Sequence, residues 1–411
     1  MKYKASFNNT IWLILMNMGK ILFPFVLFPY LAHRLNTEIY GNYTYIRSIM
    51  SFVTIIIDYG FVYSGTNIIV DNKESCIKDS KAVSEIMISK IILALISFIF
   101  VIITFFISEL SRNMITFGLA LFFATAIQSL LPDFFFRGRE RMDIIARRFL
   151  IIKGIAMIIT IFLVKADSDV YKIAIVEIVS SVMAVWITYI IMKRMEIQCK
   201  VVFSASAQIK VFKEGAHYFI SSVAPMLYGS FNTIIIGIFL SSEETAYWGI
   251  GYNVLYAILS MYVPITNGIY PQMVKTKDLR LLRRVFLLLF PMVIAGTIII
   301  FFISDFLMGF LGGSAYQYKG YIIQLLCPVI IFGFPSILLG FSGLGAIGRN
   351  HELSISVLIS ATFHVGALFI LLAIDKLSVV SVCVLRSITE LVCLYIKCLY
   401  LKKFKNEFQF I

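Results

Sequence analysis

Charge is scarce in this chain of 411 residues: Asp, Glu, Lys and Arg together make up 14% of it, where a soluble domain carries about a quarter. A water-facing surface cannot be covered with so few charges, so a soluble globular class is excluded. Acidic residues are the rarer sign, 23 against 36 basic ones. The six cysteines (Cys76, Cys199, Cys327, Cys383, Cys393 and Cys398) show no metal-ligand spacing, and no disulfide framework or metal site is implied. Walker, nucleophile-elbow and HExxH patterns are missing, which removes support for ATP-driven pumping by this chain and for hydrolysis. Long polar segments are missing too. The largest, Lys193 to Lys213 and Asp71 to Ser84, are too short to house a soluble catalytic domain, so the chain reads as a non-enzyme without a cofactor.

What the chain has in abundance is apolar sequence, with 60% hydrophobic residues and a mean hydropathy of +0.90. A hydrocarbon core about 30 Å thick needs about 20 apolar residues per helix. Runs of that kind lie at 10–32, 42–66, 86–107, 114–135, 147–164, 173–192, 217–240, 246–270, 285–304, 320–341, 353–374 and 378–400. Twelve transmembrane helices are therefore expected; alternating barrel strands are absent, and helices satisfy their own backbone in lipid. The first run is too long for a secretory signal and lacks a small-residue cleavage site, so it is expected to remain as a helix. A net charge of +13 would point to nucleic acid in a soluble protein. Here 25 of the 36 basic residues fall in segments on one side of the spans, among them Arg137, Arg139, Arg141, Arg147, Arg148 and Lys397, and six fall on the other. That split places both termini in the cytoplasm and makes the charge a matter of topology, with no nucleic-acid partner.

Two halves follow one plan. Adding 205 to Leu35, Glu38, Gly41 and Tyr43 lands on Leu240, Glu243, Ala246 and Trp248, and the same offset carries Phe136 and Gly138 onto Phe341 and Gly343. We read this as an internal duplication: a six-helix lobe over 1–192, a cytoplasmic linker over 193–213 and a second six-helix lobe over 214–411. Parallel repeats with a substrate site between them are a common transporter plan.

Five basic residues remain inside spans: Lys20, Arg47, Lys90, Lys153 and Arg386. Charge near a bilayer centre costs at least about 2.5–3.5 kcal/mol, so each requires a reason. Lys90 and Lys153 lie close enough to one end of their runs to snorkel; Lys20, mid-run and on one face with Asn17, points to a water-filled cavity. In the second span Arg47, Ser51, Thr54 and Asp58 recur on one helical stripe, which marks a wet or partner-facing side. After the linker, Tyr228 and Asn232 on the seventh span and Asn253, Tyr256 and Ser260 on the eighth repeat the feature without charge. Glu177 is a lone acid in an apolar run, with the properties expected of a proton-coupling site. Arg386 and Glu390, four apart, read as an intrahelical pair, and His364 as a packing histidine.

Several short motifs occur in order on these spans: Leu35 to Tyr43 with its Tyr-Gly pair, Asp58-Tyr59-Gly60-Phe61, Phe136-Arg137-Gly138-Arg139-Glu140-Arg141-Met142, Lys213 through Phe219 to Tyr228, Pro264-Ile265-Thr266, Ile269-Tyr270-Pro271, and Tyr316 ahead of Pro328. In this the chain resembles, over nearly its whole length, the polysaccharide flippases of the Wzx (O-antigen transporter) type. Their superfamily also holds MATE multidrug antiporters and lipid II flippases. The resemblance implies an all-α, MATE-like fold of two six-helix bundles around a cavity open alternately to either side of a bacterial inner membrane. It further implies a cargo of undecaprenyl diphosphate carrying an oligosaccharide repeat unit, and association with other polysaccharide assembly proteins. Lys20, Arg47, Lys90 and Lys153 would correspond to the family's basic cavity, with Tyr228, Tyr252 and Tyr256 against the sugars. A proton or sodium gradient would couple through Asp58 or Glu177. A cation-drug antiporter would want acids where this chain has bases, and a membrane-embedded polymerase would want a large external loop that the chain lacks.

Overall fold

A computed structural model describes residues 2–73, 75–108, 110–197 and 203–408, apart from the side chains of residues 2–8 and 10; Cys199, Lys200 and residues 198–202 of the expected linker lie outside the described residues. The described chain is helical and divides into two compact units, Met1–Val223 and Ala224–Ile411. The first contains α1 (Lys2–Arg34), α2 (Thr37–Asp58), α3 (Phe61–Asp71), α4 (Cys76–Ile107), α5 (Arg112–Ser129), α6 (Asp133–Gly138), α7 (Met142–Leu163), α8 (Val170–Arg194) and most of α9 (Ala205–Leu227). The second contains α10 (Ser230–Phe239), α11 (Ser242–Ser260), α12 (Tyr262–Thr276), α13 (Leu279–Phe302), α14 (Ser304–Gly312), α15 (Tyr321–Ile337), a π-helical turn (Leu338–Gly345), α16 (Asn350–Ala373) and α17 (Val379–Lys403).

Ten helices among the described residues are long and apolar enough to cross a membrane, and α9 with α10, bent by 54°, makes an eleventh if taken as one span. Helix α7 fails that test of composition because it carries Arg147, Arg148 and Lys153, yet its 22 residues reach about 33 Å at about 1.5 Å per residue. Each of the twelve expected runs thus holds a helix. Large apolar side chains such as Phe106, Phe162 and Phe302 stand exposed on the helix surfaces, as lipid-facing positions require.

The expected linker is not where the units divide. Helix α9 runs unbroken through residue 223, because its first half packs on the break between α2 and α3. There Tyr59 and Gly60 adopt positive φ of 41° and 75°, and a Cβ on Gly60 would lie 2.5 Å from that of Tyr218. Glycine permits both the backbone conformation and the approach. The Tyr59 ring then stacks on Phe219 at 4.5 Å.

The internal repeat is visible in the helix ends. Asn36 and Ser241 cap α2 and α11, each through a side-chain oxygen that accepts a backbone N–H; α2 opens at Thr37 and α11 at Ser242, while α3 closes at Asp71 and α12 at Thr276. Those pairs keep the offset of 205. Further along the register changes. The turn after α6 closes with the Arg141 N–H on the Phe136 carbonyl at 2.8 Å, and its counterpart closes with the Arg349 N–H on the Leu344 carbonyl at 2.9 Å. Glu140 and Gly348 take the left-handed position in the two turns. Phe136 therefore corresponds to Leu344, not to Phe341, and the additional residues lie in the 3-10 turn Ser314–Lys319 that precedes α15.

That second turn is clasped by the end of the chain. Arg349 donates from Nε and Nη2 to Glu407 and lies 4.1 Å from the Phe404 ring, and Phe408 is buried. The hydrogen bonds from Arg349 hold the Glu407 carboxyl below the usual glutamate range. A lowered carboxyl stabilises the clasp above its unfolded pKa, and that contribution is lost as pH falls through the folded value. Protection of the amides at residues 404–408, relative to the intrinsic exchange rate at each pH, should fall below about pH 4, and Glu407→Gln should show that loss already at pH 7.

Candidate functional site

Within the first unit, α2, α5, α7 and α8 line a half-open cavity of about 230 Å³ whose lining includes Arg47, Ser51, Thr54, Thr125, Gln128, Lys153, Glu177 and Ser181. Helical spacing puts Arg47, Ser51 and Thr54 on one side of α2, as the stripe predicts. The hydroxyls satisfy themselves locally: Thr54 donates to the Met50 carbonyl at 2.9 Å and Thr125 to that of Leu121 at 2.8 Å, leaving their oxygens free to accept. Ser181 donates to the Gln128 side-chain oxygen at 3.2 Å.

Charge in this cavity is organised about Glu177. Lys153 donates to it at 2.5 Å, and the Arg47 guanidinium lies 3.6 Å away, just beyond hydrogen-bond length. Glu177 is therefore not the lone acid expected from the sequence, and the premise for its separate role in coupling is corrected: two helices bring cations to it. Nor does Lys153 snorkel, since its amine is spent inside the unit. Of the three groups Arg47 is the most available, being 37% exposed and without a hydrogen bond to the acid. Two cations and one anion leave the cavity with a formal charge of +1.

The remaining candidates of the first unit are elsewhere. Lys90 is 2% exposed, and its amine donates to Asp58 at 2.8 Å and to the Ser129 carbonyl at 2.7 Å. Saturated in this way, Lys90 offers nothing to a ligand, and Asp58 is its counter-ion; both site expectations are corrected. Asn17 and Lys20 are exposed on α1, with the Lys20 amine 6.0 Å from the Phe149 ring. If each helix rises about 1.5 Å per residue, Arg47, Lys20 and Asp58 lie about 15, 21 and 31 Å from the α1–α2 turn.

In the second unit the expected residues form an internal network. Asn232 is fully buried; it donates to the Tyr228 carbonyl at 3.2 Å, and its oxygen faces His364 Nε2 at 2.8 Å, while His364 Nδ1 meets Thr389 at 2.7 Å. Asn232 is thereby removed from the substrate-facing set, because both ends of its amide are engaged. His364 is the packing histidine that the sequence indicated. Arg386 donates to Glu390 at 2.9 Å and lies 4.8 Å from the Tyr228 ring. Tyr252 stacks on Trp248 at 5.7 Å, Asn253 is half-buried, and Tyr256 is 57% exposed. Tyr256 is thus the most exposed of the three tyrosines expected against the sugars.

Three of the basic residues assigned to loops in the sequence lie in helices and are buried or half-buried. Arg148 is buried in α7, donating to Asp133 at 2.7 Å and to Thr188 at 3.0 Å. Lys397 is buried in α17 and donates to the Ser336 carbonyl at 3.1 Å. Arg137 sits half-buried in α6. The signal for Arg148 was present in the sequence, since Thr188 and Asp133 are polar positions in otherwise apolar runs.

Comparison with known proteins agrees with this architecture. A family model described as polysaccharide biosynthesis protein matches residues 6–277. A protein of Escherichia coli (strain K12) named "Putative O-antigen transporter" is 24% identical over 283 residues, 68% of each chain. A protein of the same name from Shigella dysenteriae is 23% identical over 65% of this chain and 67% of its own. Among solved structures, the lipid II flippase MurJ in an inward closed conformation superposes with a TM-score of 0.74 over 96% of this chain and 87% of its own, at 12% identity. An inward-facing multidrug resistance MATE family transporter of the MOP superfamily superposes with a TM-score of 0.62 over 95% of each chain, at 13% identity. At such identities the superpositions speak for a MATE-like fold.

Proposed function

The chain belongs to the polysaccharide biosynthesis protein family, and from that premise we propose that it is a flippase for oligosaccharide repeat units linked to undecaprenyl diphosphate. The cavity around Arg47, Lys153 and Glu177 is the observation that carries this reading. A diphosphate brings about two negative charges, and a low-dielectric cavity of formal charge +1 attracts it more strongly than water would. Glu177 acts as the resident anion. It keeps the empty cavity near neutral, and the incoming phosphate competes with it for Arg47, the looser of its two partners. The Gln128 amide then donates to a phosphate oxygen, and the oxygens of Ser51, Thr54 and Thr125 accept from hydroxyls of the first sugar. The prenyl tail stays in lipid.

Coupling fits the same cavity. Two cations within 4 Å of the carboxylate keep Glu177 charged in the unloaded cavity; a proton is taken up by Glu177 only once the diphosphate has drawn Arg47 and Lys153 away from it. The membrane is the bacterial inner membrane, with both termini in the cytoplasm by the distribution of Lys and Arg.

The direct test is reconstitution. Purified protein in proteoliposomes should move a fluorescent prenyl-diphosphate oligosaccharide between leaflets, measured by quenching of the outer leaflet, and faster under a proton gradient. Export of organic cations with no movement of the oligosaccharide lipid would replace this reading with that of a drug antiporter.

A further inference from the structure

Corresponding spans of the two units lose their α-helical winding at corresponding levels, and the two losses differ in kind. In the first unit α5 and α6 are parted by residues 130–132, and Pro132, with no N–H and a fixed φ, makes the interruption permanent. In the second unit α15 passes without a gap into the π-helical turn Leu338–Gly345. With Phe136 corresponding to Leu344, Gly340 stands where Pro132 stands, and no proline lies between Leu338 and Gly345. Every residue of that segment keeps its N–H, so its hydrogen bonds can be remade in the α pattern. A π turn carries about one residue more than an α turn, and such turns are found mostly at functional sites.

The two interruptions are also held differently. Lys90 holds the first with a carboxylate among its acceptors, Asp58 at 2.8 Å, beside the carbonyls of Ser129 and Leu131. Lys397 of α17 approaches the second as closely, since a Cβ on Gly340 would lie 3.3 Å from its amine. Among the described residues its acceptors are neutral: the Ser336 carbonyl at 3.1 Å and the Ser336 Oγ at 2.9 Å. The acid of its own helix, Glu390, is paired with Arg386. Undoing the first interruption would part a buried ion pair, which is costly; undoing the second would not. Two further contacts tie the π segment to α12. Ser342 Oγ donates to the Thr266 carbonyl at 3.0 Å, and the Phe341 ring lies 4.5 Å from that of Tyr270. Both are made from inside the segment, so both depend on its winding.

We propose that Leu338–Gly345 is a conformational switch, π-wound in this structure and α-wound in a second state, that fastens α12 to the α15 span in the first state and releases it in the second. Rewinding passes the surplus residue into the turn Ala346–Arg349 and carries the residues beyond the change about 100° around the helix axis, with a shift of about 1.5 Å. Phe341 then leaves Tyr270, and Ser342 leaves the Thr266 carbonyl. Packed elements with two discrete arrangements are the usual means by which a helical protein changes state. The use of the switch in transport rests on the flippase reading, whereas the switch itself does not.

Hydrogen exchange of the purified full-length protein tests the switch without any cargo. A static π segment, buried like α15, should exchange as slowly as the buried part of α15 before Pro335. We expect exchange at residues 342–345 to be at least about a hundredfold faster, because rewinding opens the segment locally; equal protection overturns the proposal. Ser342→Ala removes the tie to Thr266 and should speed that exchange by about a further fivefold. Deleting Phe341, the one exposed residue of the segment, removes the surplus and should bring exchange down to that of α15. Fast exchange in a folded deletion variant would mean simple fraying and overturn the switch. Should the deletion variant not fold, a cross-link decides: Tyr270→Cys joined to Phe341→Cys by a short cleavable bismaleimide should slow the exchange and stop movement of the fluorescent oligosaccharide lipid in proteoliposomes, with recovery on cleavage. The single-cysteine variants, treated alike, should keep transporting. Undiminished transport in the cross-linked protein overturns the role of the release. A wild type that exchanges as expected but moves no oligosaccharide lipid overturns the flippase reading and leaves the switch standing.

Discussion

Arg47→Gln should weaken binding of a prenyl diphosphate at the Glu177 cavity by about 30- to 700-fold and abolish translocation in proteoliposomes. The range follows from removing one partner of a desolvated charged contact, which costs about 2–4 kcal/mol, with each 1.4 kcal/mol equal to tenfold in affinity. Removing Arg47 leaves Glu177 paired with Lys153 at 2.5 Å, so the fold keeps its closer ion pair and the loss is confined to the ligand. Glu177→Gln is the complementary experiment. It holds the resident anion in a neutral form, raises the formal charge of the cavity to +2 and should tighten diphosphate binding, while translocation loses its dependence on a proton gradient. If Arg47 served only to neutralise Glu177, Arg47→Gln would leave affinity unchanged and Glu177→Gln would weaken the protein instead of the transport. The two variants moving affinity in opposite directions is the outcome that separates a ligand site from a structural ion pair.

The sequence reached Arg47, Ser51 and Thr54 because all three lie on one helix, where a stripe can be read from spacing alone. It did not reach the pairing of Glu177 with Lys153, on α8 and α7, because the partners are 24 residues apart and nothing within either helix records which faces meet. The same limit explains Lys90. In the apolar run 86–107 it stands near one end and reads equally well as snorkelling, and only the break between α5 and α6 shows carbonyls waiting for its amine. Arg137 and Lys397 were assigned to loops because basic residues crowd one end of the spans, and hydropathy does not distinguish a charge past the membrane from one folded back into the unit. The repeat was legible where caps and helix lengths are kept, at Asn36 and Ser241, and was misread by three residues beyond the 3-10 turn Ser314–Lys319, where a local insertion resets the register without disturbing the apolar pattern. The division of the units inside α9 was hidden for a similar reason: a polar seam marks a change of composition, whereas the stacking of Tyr59 on Phe219 decides to which unit that helix belongs.

Lys90→Met should cost about 3–5 kcal/mol of stability, the range for breaking a buried ion pair from one side. Three acceptors depend on that amine: the Asp58 carboxylate and the carbonyls of Ser129 and Leu131. The carbonyls belong to the interruption between α5 and α6, where Pro132 supplies no N–H and the ordinary helical partners are missing. In apolar surroundings each such group left without a donor costs about 1–3 kcal/mol. The variant should therefore show a melting temperature lowered by several degrees in detergent and poor yield in the membrane fraction. Adding Asp58→Asn to Lys90→Met removes the stranded charge but not the orphaned carbonyls, so the double variant should recover part of the loss and no more. Full recovery would mean that the carbonyls find other donors and that Lys90 is merely a counter-ion for Asp58. No recovery at all would mean that the ion pair contributes nothing and that the amine serves the helix break alone. Partial recovery identifies Lys90 as the pin that holds α2, α4 and the α5–α6 break in register.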